Sequence, residues 1–595
     1  MQNINSEENT IRAKIICTIG PASDSKEKLS ELVDAGMNIT RLNFSHGSHG
    51  GYAEIIKRIK EVRREKGVSL GILLDTKGPE VRVGQLPETG MILEENGEYW
   101  LVKQDDAEGP NDIPINPFSI LSDLTEGVTV LFDDGAISST VKGIDPSRGA
   151  RIKVHNTAKL SSRKGVNVPN VALSLPNVTE QDIKDIRFGC QQGIDMIALS
   201  FTRSSEHIKE VRTILEDEGR EDVLLIAKIE NWEGIKNLDS IVQASDGIMV
   251  ARGDLGVELP ISQVPQLQKQ IIYTCFLGAK PSITATQMLE SMIQNPRPTR
   301  AEVSDVANAI NEGTSAVMLS GETAAGKHPV EAVKTFHSII SEAEKHLNFE
   351  EFMMKSLRLP SNSVLASISA AAVRSAYNSR AKAIFSLTRD GEVIRFLSRL
   401  RPSVPIIAFT DNERTFNRLS LYWGVVPLMV TDQNLLAPEH FDALAELAIK
   451  QGIVQKGDLI VVTSKIDEGK EDDSSMMIIQ SIGDVVFRGA RGYGREVHAQ
   501  AVYVTDPTLV QNIDEKIVVI SVCDENYEPI FKQAAGIVLQ NLHSDKNSEK
   551  IAVDYAKKYH TSLITEAESS KVFFKEKKVV MSPEKVAVYL DDQEW

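Results

Sequence analysis

Two carboxylates in the N-terminal half of the chain each follow a short apolar run. Glu230 comes directly after VLLIAKI and Asp254 comes shortly after GIMVA, while Lys228 lies inside the first of these runs. Two carboxylates beside a lysine suit a hard divalent cation next to a phosphate, because Mg²⁺ takes few protein oxygens and completes its shell with substrate and water. The spacing therefore predicts a metal-assisted phosphate site.

Further polar residues stand at the ends of other apolar runs. Arg41 lies within NITRL and Arg82 comes shortly after GILLD. With Lys228, these cations could neutralise a phosphoryl group during its transfer. The other candidates at these positions are Asn43, Ser45, Asp75, Thr76, Lys77, Arg252, Thr286, Ser320 and Glu322.

Each of these residues also has an ordinary structural explanation. Asp75 could cap a turn, Asn43 could satisfy backbone groups, and Ser320 could be a helix N-cap. A single lysine is usually a solvated or paired surface group. Lys228 is different because it lies inside the apolar run LLIAKIEN, and burying an ammonium group without a partner is costly.

Repeated β/α units must position these side chains. Short β-branched runs alternate with stretches of helical period from Lys14 to about His346. The eight runs are KIICTI, NITRL, GILLD, DMIALS, VLLIAKI, GIMVA, PSITAT and SAVML. Eight rounds predict a (β/α)8 barrel, in which functional residues gather at the C-terminal ends of the strands.

The rest of the chain predicts three additional domains. The barrel is assigned to residues 1–78 and 177–350, and an inserted β domain with turn-rich short strands to residues 79–176. An α/β domain is expected over residues 351–486, with strands AKAIFSL, VPIIAFT and GDLIVVTS. A last domain is expected over residues 487–595, and its early stretch RGARGYGRE is interpreted as a linker.

Composition narrows the class of protein. The chain has 595 residues, and 66 Lys and Arg against 83 Asp and Glu give a net charge of −17. Such an acidic surface repels phosphate backbones and anionic lipids, so nucleic acids and membranes are not expected partners. With no apolar signal segment at the N-terminus and four dispersed cysteines, we expect a cytoplasmic protein without a disulfide framework or a zinc site.

Nine motifs resemble those of the pyruvate kinase family in order and spacing. They are CTIGPAS (17–23), RLNFSHG (41–47), LDTKGPEVR (74–82), KGVNVP (164–169), AKIEN (227–231), MVARGDLG (249–256), ATQMLESM (285–292), RAEVSDVANAI (300–310) and MLSGET (318–323). The resemblance implies an α/β protein with a TIM barrel, an inserted β-barrel lid and a C-terminal α/β domain. It also implies transfer of a phosphoryl group from phosphoenolpyruvate to ADP, the last step of glycolysis.

The resemblance assigns roles to the strand-end residues. The catalytic set would be Lys228, Arg41, Thr286 and Ser320, with Thr286 and Ser320 protonating the enolate. The substrate would contact Arg41, Ser200, Lys228, Gly253, Asp254 and Thr286. Glu230 and Asp254 would bind Mg²⁺ or Mn²⁺, and Asn43, Ser45, Asp75 and Thr76 would bind K⁺. Asn43, His46, Arg82 and Lys164 would contact the nucleotide.

Glu80 stands at the position that distinguishes K⁺-dependent from K⁺-independent members of the family. K⁺-dependent members of the family resemble this sequence with Glu at this position, whereas K⁺-independent members carry Lys. An ammonium group can replace a mobile cation and a carboxylate cannot, so the resemblance implies K⁺ dependence.

Two regions depart from the family pattern. The effector loop of related bacterial enzymes is rich in Thr and Ser, but here Thr388–Val393 reads TRDGEV, and residues 468–475 carry further carboxylates. These acids would repel a phosphate effector, so we expect that site to be weakened or lost. Residues 487–595 resemble the swivelling domain of phosphoenolpyruvate-utilising enzymes without its TSH histidine motif, and His543 is interpreted as a loop residue.

The leading interpretation is a pyruvate kinase that requires Mg²⁺ and K⁺ and, by resemblance, forms a homotetramer. A phosphotransfer dikinase is a second possibility, but it needs a phosphorylatable histidine that the last domain lacks. A catalytically inactive scaffold is a third, and the intact Lys228, Glu230, Asp254 and Thr286 argue against it.

Overall fold

The computed structural model describes residues 11–357, 363–436, 440–465, 475–508, 512–569 and 577–591. These residues divide into two compact units. The first comprises the chain up to Ala366 together with Thr388–Met429, and the second comprises Ser367–Leu387 together with the residues from Val430 onward.

The first unit opens with three strands and two helices of the barrel: β1 (Lys14–Thr18), α1 (Lys26–Asp34), β2 (Ile39–Asn43), α2 (His49–Lys66) and β3 (Gly71–Asp75). Both helices begin at a serine whose hydroxyl accepts a backbone N–H in the first turn, Ser25 for α1 and Ser48 for α2. Gly67 ends α2 in the left-handed conformation that glycine adopts without strain.

The insertion after β3 is a β-rich domain. Its strands are β4 (Arg82–Val83), β5 (Met91–Leu93), β6 (Glu98–Val102), β7 (Asp112–Asn116), β8 (Thr129–Phe132), β9 (Ile137–Asp145), β10 (Gly149–Val154), β11 (Ala158–Leu160) and β12 (Val166–Asn167). Seven of them form a sheet in the order β12-β8-β9-β10-β6-β7-β4, and β11 pairs with β5. An antiparallel bridge between Arg82 and Gly165 joins the two ends of the seven-stranded sheet.

The chain then returns to the barrel. The elements are α3 (Glu180–Gln191), β13 (Met196–Leu199), α4 (Ser205–Asp217), β14 (Leu224–Ile229), α5 (Trp232–Lys236), α6 (Leu238–Ala244), β15 (Gly247–Ala251), α7 (Arg252–Glu258), α8 (Val264–Leu277), β16 (Ser282–Ala285), α9 (Arg300–Asn311), β17 (Ala316–Leu319), α10 (Gly321–Ala324) and α11 (Pro329–Lys345). The parallel barrel closes in the order β1-β17-β16-β15-β14-β13-β3-β2. Each of the eight predicted runs is one of its strands, which confirms the predicted TIM barrel.

Continuous apolar sequence in these strands follows from burial on both faces, as expected in a parallel barrel. One side fills the barrel with residues such as Ile16, Ile226 and Met318. The other side contacts the surrounding helices, for example through Ile15 and Leu225. Because the strands are rigid and buried, the side chains at their C-terminal ends are held in fixed positions.

The C-terminal α/β segment contains α12 (Phe349–Leu357), α13 (Val364–Ser379), β18 (Ala383–Leu387), α14 (Glu392–Arg399), β19 (Ile406–Thr410), α15 (Glu413–Arg418), β20 (Val425–Met429), α16 (Phe441–Lys450), β21 (Leu459–Lys465) and β22 (Ser475–Ser481). In the first unit, β19 pairs with β20 in parallel. In the second unit, β18 pairs with β21 in parallel, and β21 pairs with β22 antiparallel. The predicted α/β segment is confirmed.

The last part of the second unit is a nine-stranded sheet in the order β24-β28-β27-β26-β25-β30-β31-β23-β29. Its elements are β23 (Val485–Arg488), β24 (Arg491–Tyr493), β25 (Val497–Tyr503), β26 (Ile517–Ile520), α17 (Glu528–Gln533), β27 (Gly536–Leu539), α18 (Lys546–Tyr559), β28 (Ser562–Thr565), β29 (Glu568–Ser569), β30 (Lys578–Ser582) and β31 (Ala587–Leu590). The swivelling-domain assignment remains a prediction.

The interpretation of RGARGYGRE as a linker is wrong. Residues Arg491–Tyr493 form β24, which pairs antiparallel with β28. Glycine is needed at Gly492 because a Cβ atom there would lie 1.8 Å from the carbonyl oxygen of Pro583. The glycines therefore serve close backbone approach within a sheet. Among the described residues, no helix is long and apolar enough to cross a bilayer.

Candidate active site

A buried aspartate holds two cations at the C-terminal ends of the barrel strands. Asp75 ends β3, Lys228 lies near the end of β14 and Arg41 lies on β2. Lys228 Nζ is 3.0 Å from Asp75 Oδ1, and Arg41 Nε is 2.6 Å from Asp75 Oδ2. Asp75 is fully buried and both cations are 9% exposed. The aspartate thus fixes both basic groups side by side.

These charges shift one another's pKa values. Burial would raise the pKa of Asp75, but Lys228 and Arg41 outweigh burial and lower it. Burial would lower the pKa of Lys228, but Asp75 and Glu230 outweigh burial and raise it. At neutral pH Lys228 is therefore a permanently charged ammonium group, suited to stabilise negative charge and unsuited to act as a base.

Ser200 and Thr76 complete the surroundings of Lys228. The ammonium group donates to Ser200 Oγ at 2.7 Å. Ser200 Oγ in turn donates to the carbonyl oxygen of Thr76 at 2.6 Å, and the Ser200 backbone N–H donates to Thr76 Oγ1 at 3.1 Å. Both residues are buried, so this network fixes the direction of the Lys228 side chain.

Glu230 and Asp254 form a carboxyl pair beside Lys228. Glu230 Oε1 lies 3.0 Å from Lys228 Nζ, and the carboxyl groups of Glu230 and Asp254 are close enough to influence each other's charge. Burial raises the pKa of Glu230 against the opposing effect of Lys228, and the nearby Asp254 raises it further. Burial also raises the pKa of Asp254. Two neighbouring carboxyl groups repel each other unless a proton or a cation compensates their charge, so the pair fits a divalent cation.

Within the described ranges, no group of three or more His, Cys, Asp or Glu side chains could hold a metal ion. A cation at Glu230 and Asp254 would therefore have two protein carboxylates and would take its other ligands from substrate and water. That ligand set is the one Mg²⁺ prefers beside a phosphate.

Thr286 is placed next to Gly253 by an unusual backbone conformation. Thr286 follows β16 with φ of 67°, in the left-handed region. The Gly253 N–H donates to Thr286 Oγ1 at 2.9 Å, and Thr286 Oγ1 donates to the Ala285 carbonyl oxygen at 2.6 Å. A non-glycine residue in this region is strained and is often found at functional sites.

Arg252, which the sequence marked only as a strand-end residue, supports this turn. Its guanidinium donates to the carbonyl oxygens of Thr286 at 2.7 Å and Ala285 at 3.2 Å. Asp305 on α9 holds the same guanidinium at 2.7 Å. The Arg252–Asp305 ion pair therefore holds the backbone of Thr286 in place.

Ser320 follows β17 and precedes the short helix α10. It occupies the N-cap position, but its side chain makes no capping hydrogen bond. Instead, the buried Glu322 accepts the Ser320 N–H at 2.7 Å and the Leu289 N–H at 3.1 Å. The capping explanation thus does not account for the Ser320 hydroxyl.

The four residues expected to bind K⁺ are connected by one hydrogen bond and by strand pairing. Asn43 Oδ1 accepts the Ser45 N–H at 3.2 Å. Asn43 and Asp75 are register partners on β2 and β3, and Thr76 follows Asp75. All four residues bear side-chain oxygens and lie along one pair of strand ends.

The residues expected to contact the nucleotide are more exposed. Arg82 Nε pairs with Glu80 Oε2 at 2.6 Å, and Lys164 Nζ pairs with Asp133 Oδ1 at 2.7 Å. His46 is exposed, and its carbonyl oxygen accepts the Tyr52 hydroxyl. In the part of the chain that the structure describes, none of the side chains of Arg82, Lys164 and His46 forms an ion pair or hydrogen bond with Lys228 or Asp75.

Two residues that support the site, Asp182 and Gly78, were not identified from the sequence. Asp182, on α3, accepts the Gly78 N–H at 3.1 Å while it completes a capping box with Thr179. Gly78 has φ of 73°, and a Cβ atom there would lie 2.8 Å from Ser200 Cβ. The TEQD pattern signals the helix start, but nothing in it reveals the contact with Gly78.

In the loop Thr388–Val393, the carboxylate of Asp390 makes hydrogen bonds within the loop. Asp390 Oδ1 accepts the Glu392 N–H at 2.8 Å, at the start of α14, and lies 3.2 Å from Thr388 Oγ1. In residues 468–475, all but Ser475 lie outside the described residues. In loops beside the last sheet, His543 Nδ1 lies 2.8 Å from Glu566 Oε2.

Comparisons with known proteins agree with this arrangement. Residues 10–333 match the family described as "Pyruvate kinase, barrel domain", and residues 366–480 match "Pyruvate kinase, alpha/beta domain". A pyruvate kinase of Bacillus licheniformis is 44% identical over 82% of this chain and 83% of its own length. One from Geobacillus stearothermophilus is 41% identical over 89% and 90%, and one from Sporosarcina psychrophila is 40% identical over 89% and 91%.

Proposed function

The chain belongs to the pyruvate kinase family, and on that premise we propose which of its residues transfer a phosphoryl group from phosphoenolpyruvate to ADP. The single observation that carries the proposal is the position of Lys228, held between Asp75 at 3.0 Å and Glu230 at 3.0 Å. A fixed, charged ammonium group beside two carboxyl groups suits chemistry in which positioning and electrostatics do most of the work.

Lys228 and Arg41 would stabilise the negative charge of the phosphoryl group in transfer and of the enolate that remains. Both cations are preorganised by Asp75, so little reorganisation is needed when the charge develops. Ser200 would stand beside the substrate and keep Lys228 oriented through its 2.7 Å hydrogen bond.

Glu230 and Asp254 are proposed to hold Mg²⁺ or Mn²⁺. The closeness of the two carboxyl groups and their raised pKa values support this assignment, because a divalent cation would compensate their negative charges. When bound, such a cation supplies Lewis-acid stabilisation of phosphate oxygens. We further propose that the protein depends on K⁺ and that Asn43, Ser45, Asp75 and Thr76 bind it. Glu80 is the residue that indicates this K⁺ dependence.

Gly253 and Thr286 are proposed to receive the carboxylate end of the substrate. The glycine allows close approach of its backbone N–H, which Thr286 Oγ1 accepts at 2.9 Å. Thr286 and Ser320 would deliver the proton that converts the enolate to pyruvate. The Ser320 hydroxyl makes no capping hydrogen bond, so it is not needed to stabilise the start of α10.

Asn43, His46, Arg82 and Lys164 are proposed to contact the nucleotide. Lys164 lies in the inserted domain, so its role requires this domain to act as a lid. A contact between lid and barrel supports that role: Asn167 Nδ2 donates to Glu258 Oε1 at 3.0 Å.

Several broader assignments rest on the family. We propose domain limits of 1–78 with 177–350, 79–176, 351–486 and 487–595, a homotetramer, and action in the cytoplasm, where glycolytic substrates occur. Residues 487–595 are proposed to be a swivelling-type domain with a structural or regulatory role. The pairing of His543 with Glu566 supports an ordinary loop role for that histidine.

The phosphate effector site of related enzymes is proposed to be weakened. Asp390 already accepts the N–H at the start of α14, where an anion would otherwise bind. Titration with fructose 1,6-bisphosphate or ribose 5-phosphate should give little activation, and strong activation at micromolar effector would overturn this assignment.

The experiment that tests the proposal is a lactate-dehydrogenase-coupled assay of the full chain with phosphoenolpyruvate and ADP. Pyruvate should form only when Mg²⁺ or Mn²⁺ is present, and K⁺ should raise the rate strongly. Turnover that persists after complete chelation of divalent cations would contradict the roles of Glu230 and Asp254.

A further inference from the structure

A small pocket lies at the opposite end of the barrel strands from the active site. It has a volume of about 20 Å³ and its lining includes Lys280, Ser315, Arg395, Arg399 and Arg401. Lys280 precedes β16, whereas Thr286 follows it. A strand rises about 3.3 Å per residue, so the pocket and the catalytic turn are separated by roughly the full length of the strand. The pocket is therefore separate from the site already described.

The lining of this pocket is strongly cationic. Arg395 and Arg399 lie four residues apart on α14, which places them on the same face of that helix. Lys280 and Arg401 add two more cations to the same lining. In the described part of the chain, none of these four side chains forms an ion pair with a carboxylate. In a chain of net charge −17, four such cations around one pocket call for an anion.

Several donors in the pocket lining have no acceptor. The Nε atoms of Arg395 and Arg399 and the Nη1 atom of Arg401 are buried without a hydrogen-bond partner among the described residues. Arg401 is 8% exposed, and its Nη2 donates to the Gly313 carbonyl oxygen at 2.8 Å and to Ser315 Oγ at 2.9 Å. An anion in the pocket would give these donors an acceptor.

The pKa shifts of the lining residues agree with several buried positive charges lying close together. Burial lowers the pKa of Arg401 to about 9 against the opposing effect of Glu344. Burial and the neighbouring Arg395 lower the pKa of Arg399, and burial lowers that of Lys280. Burial raises the pKa of Tyr422, another lining residue, to about 12, so its hydroxyl remains a neutral donor.

We propose that this pocket binds a phosphate dianion, either inorganic phosphate or the phosphoryl end of a phosphomonoester. Guanidinium groups present paired N–H donors that match the oxygens of phosphate, and each orphan donor would gain a charge-assisted hydrogen bond. At about 20 Å³ the pocket has room for one or two phosphate oxygens, so the rest of the phosphate and any organic group lie at its mouth. Bound phosphate neutralises the mutual repulsion of Arg395, Arg399 and Lys280.

The test is equilibrium dialysis of the full chain with radiolabelled inorganic phosphate, at an ionic strength kept constant with sodium chloride. The double variant R395Q/R399Q should lose one bound phosphate, with affinity at the pocket reduced at least about tenfold. The matched control is Arg187→Gln, because Arg187 is exposed on α3 and pairs with Glu218 at 3.4 Å. It should bind phosphate as the unmodified chain does. Phosphate bound at the catalytic site is the same in all three proteins and cancels in the comparison.

Competing ligands identify the source of the phosphoryl group. If glycerol 3-phosphate displaces labelled phosphate more strongly than unlabelled phosphate does, the pocket binds phosphomonoesters. If unlabelled phosphate displaces the label more strongly than glycerol 3-phosphate does, the pocket binds free phosphate. Equal displacement by succinate, or by chloride alone, would overturn the phosphate assignment. Unchanged stoichiometry in R395Q/R399Q would overturn it as well.

A second measurement does not depend on the folding of a variant. Phenylglyoxal modifies accessible arginine side chains, and the modified sites can be mapped by peptide mass spectrometry. Phosphate should protect Arg395 and Arg399 of the unmodified chain, while the exposed Arg187 reacts at the same rate with and without phosphate. Equal reaction of Arg395 and Arg399 in both conditions would contradict the proposal.

Discussion

The two carboxylate oxygens of Asp75 bind different cations: Oδ1 lies 3.0 Å from Lys228 Nζ and Oδ2 lies 2.6 Å from Arg41 Nε. One buried aspartate therefore positions both of the basic groups assigned to the phosphoryl group. Because it is fully buried, its charge is compensated by these two cations and not by water.

Replacing Asp75 with Asn should lower kcat by roughly 10²-fold, the order of loss seen when one electrostatic contribution to the transition state is removed. The variant should also be less stable by about 3–5 kcal/mol, because the buried Arg41 loses its carboxylate and Lys228 keeps only Glu230. Steady-state kinetics and thermal unfolding measure the two effects. Asp34→Asn is the control, since Asp34 is exposed and pairs with Lys66. A variant with normal kcat would show that Asp75 does not position the cations for catalysis.

Arg252 should matter through Thr286 and without touching the substrate. Arg252→Gln removes a donor to the Thr286 carbonyl oxygen and the ion pair with Asp305. Because Thr286 is held in the left-handed region at φ of 67°, the loss of this clamp should let it relax. We expect kcat to fall by roughly 10²-fold, as when a catalytic group is misplaced by about 1 Å.

Asp305→Asn should cause a smaller loss than Arg252→Gln, because the guanidinium keeps its two backbone acceptors. Lys269→Gln removes an exposed ion pair with Glu312 and should leave kcat unchanged. If Arg252→Gln and Lys269→Gln had the same kcat, the clamp would have no role in catalysis.

The sequence predicted the barrel and its strand-end residues well for a physical reason. Each strand is buried on both faces, so it appears as an apolar run such as GILLD, and the polar residue that ends it, Asp75, stands out. Asp182 and Arg401 could not be found in this way. Asp182 sits in an ordinary capping box, and the environment of Arg401 is created by residues that are distant in the chain.

The linker interpretation of RGARGYGRE failed because glycine has two uses. Glycine-rich sequence predicts flexibility, but it also permits close backbone approach, and only the fold distinguishes the two. Gly492 lies against the carbonyl oxygen of Pro583, a contact between residues 91 positions apart in the numbering. No local pattern encodes such a contact.

The monovalent-cation dependence can be tested at Glu80. The unmodified chain should lose most of its activity in K⁺-free buffer, and Glu80→Lys should restore part of it, because an ammonium group can replace the mobile cation. The same change releases Arg82 from its 2.6 Å ion pair, so the KM for ADP should change in Glu80→Lys. Glu80→Gln separates the effects, since it breaks the ion pair without adding an ammonium group. Full activity of the unmodified chain without K⁺ would refute the dependence.

The most direct test of the central claim is the coupled assay of Lys228→Met beside Lys236→Met. Lys236 is exposed on α5, so its replacement by Met should leave the rate of pyruvate formation unchanged. Lys228→Met should lower kcat at least about 10³-fold while circular dichroism shows the barrel folded, because the fixed positive charge at the phosphoryl group is lost. A folded Lys228→Met protein that forms pyruvate at the normal rate would contradict the account.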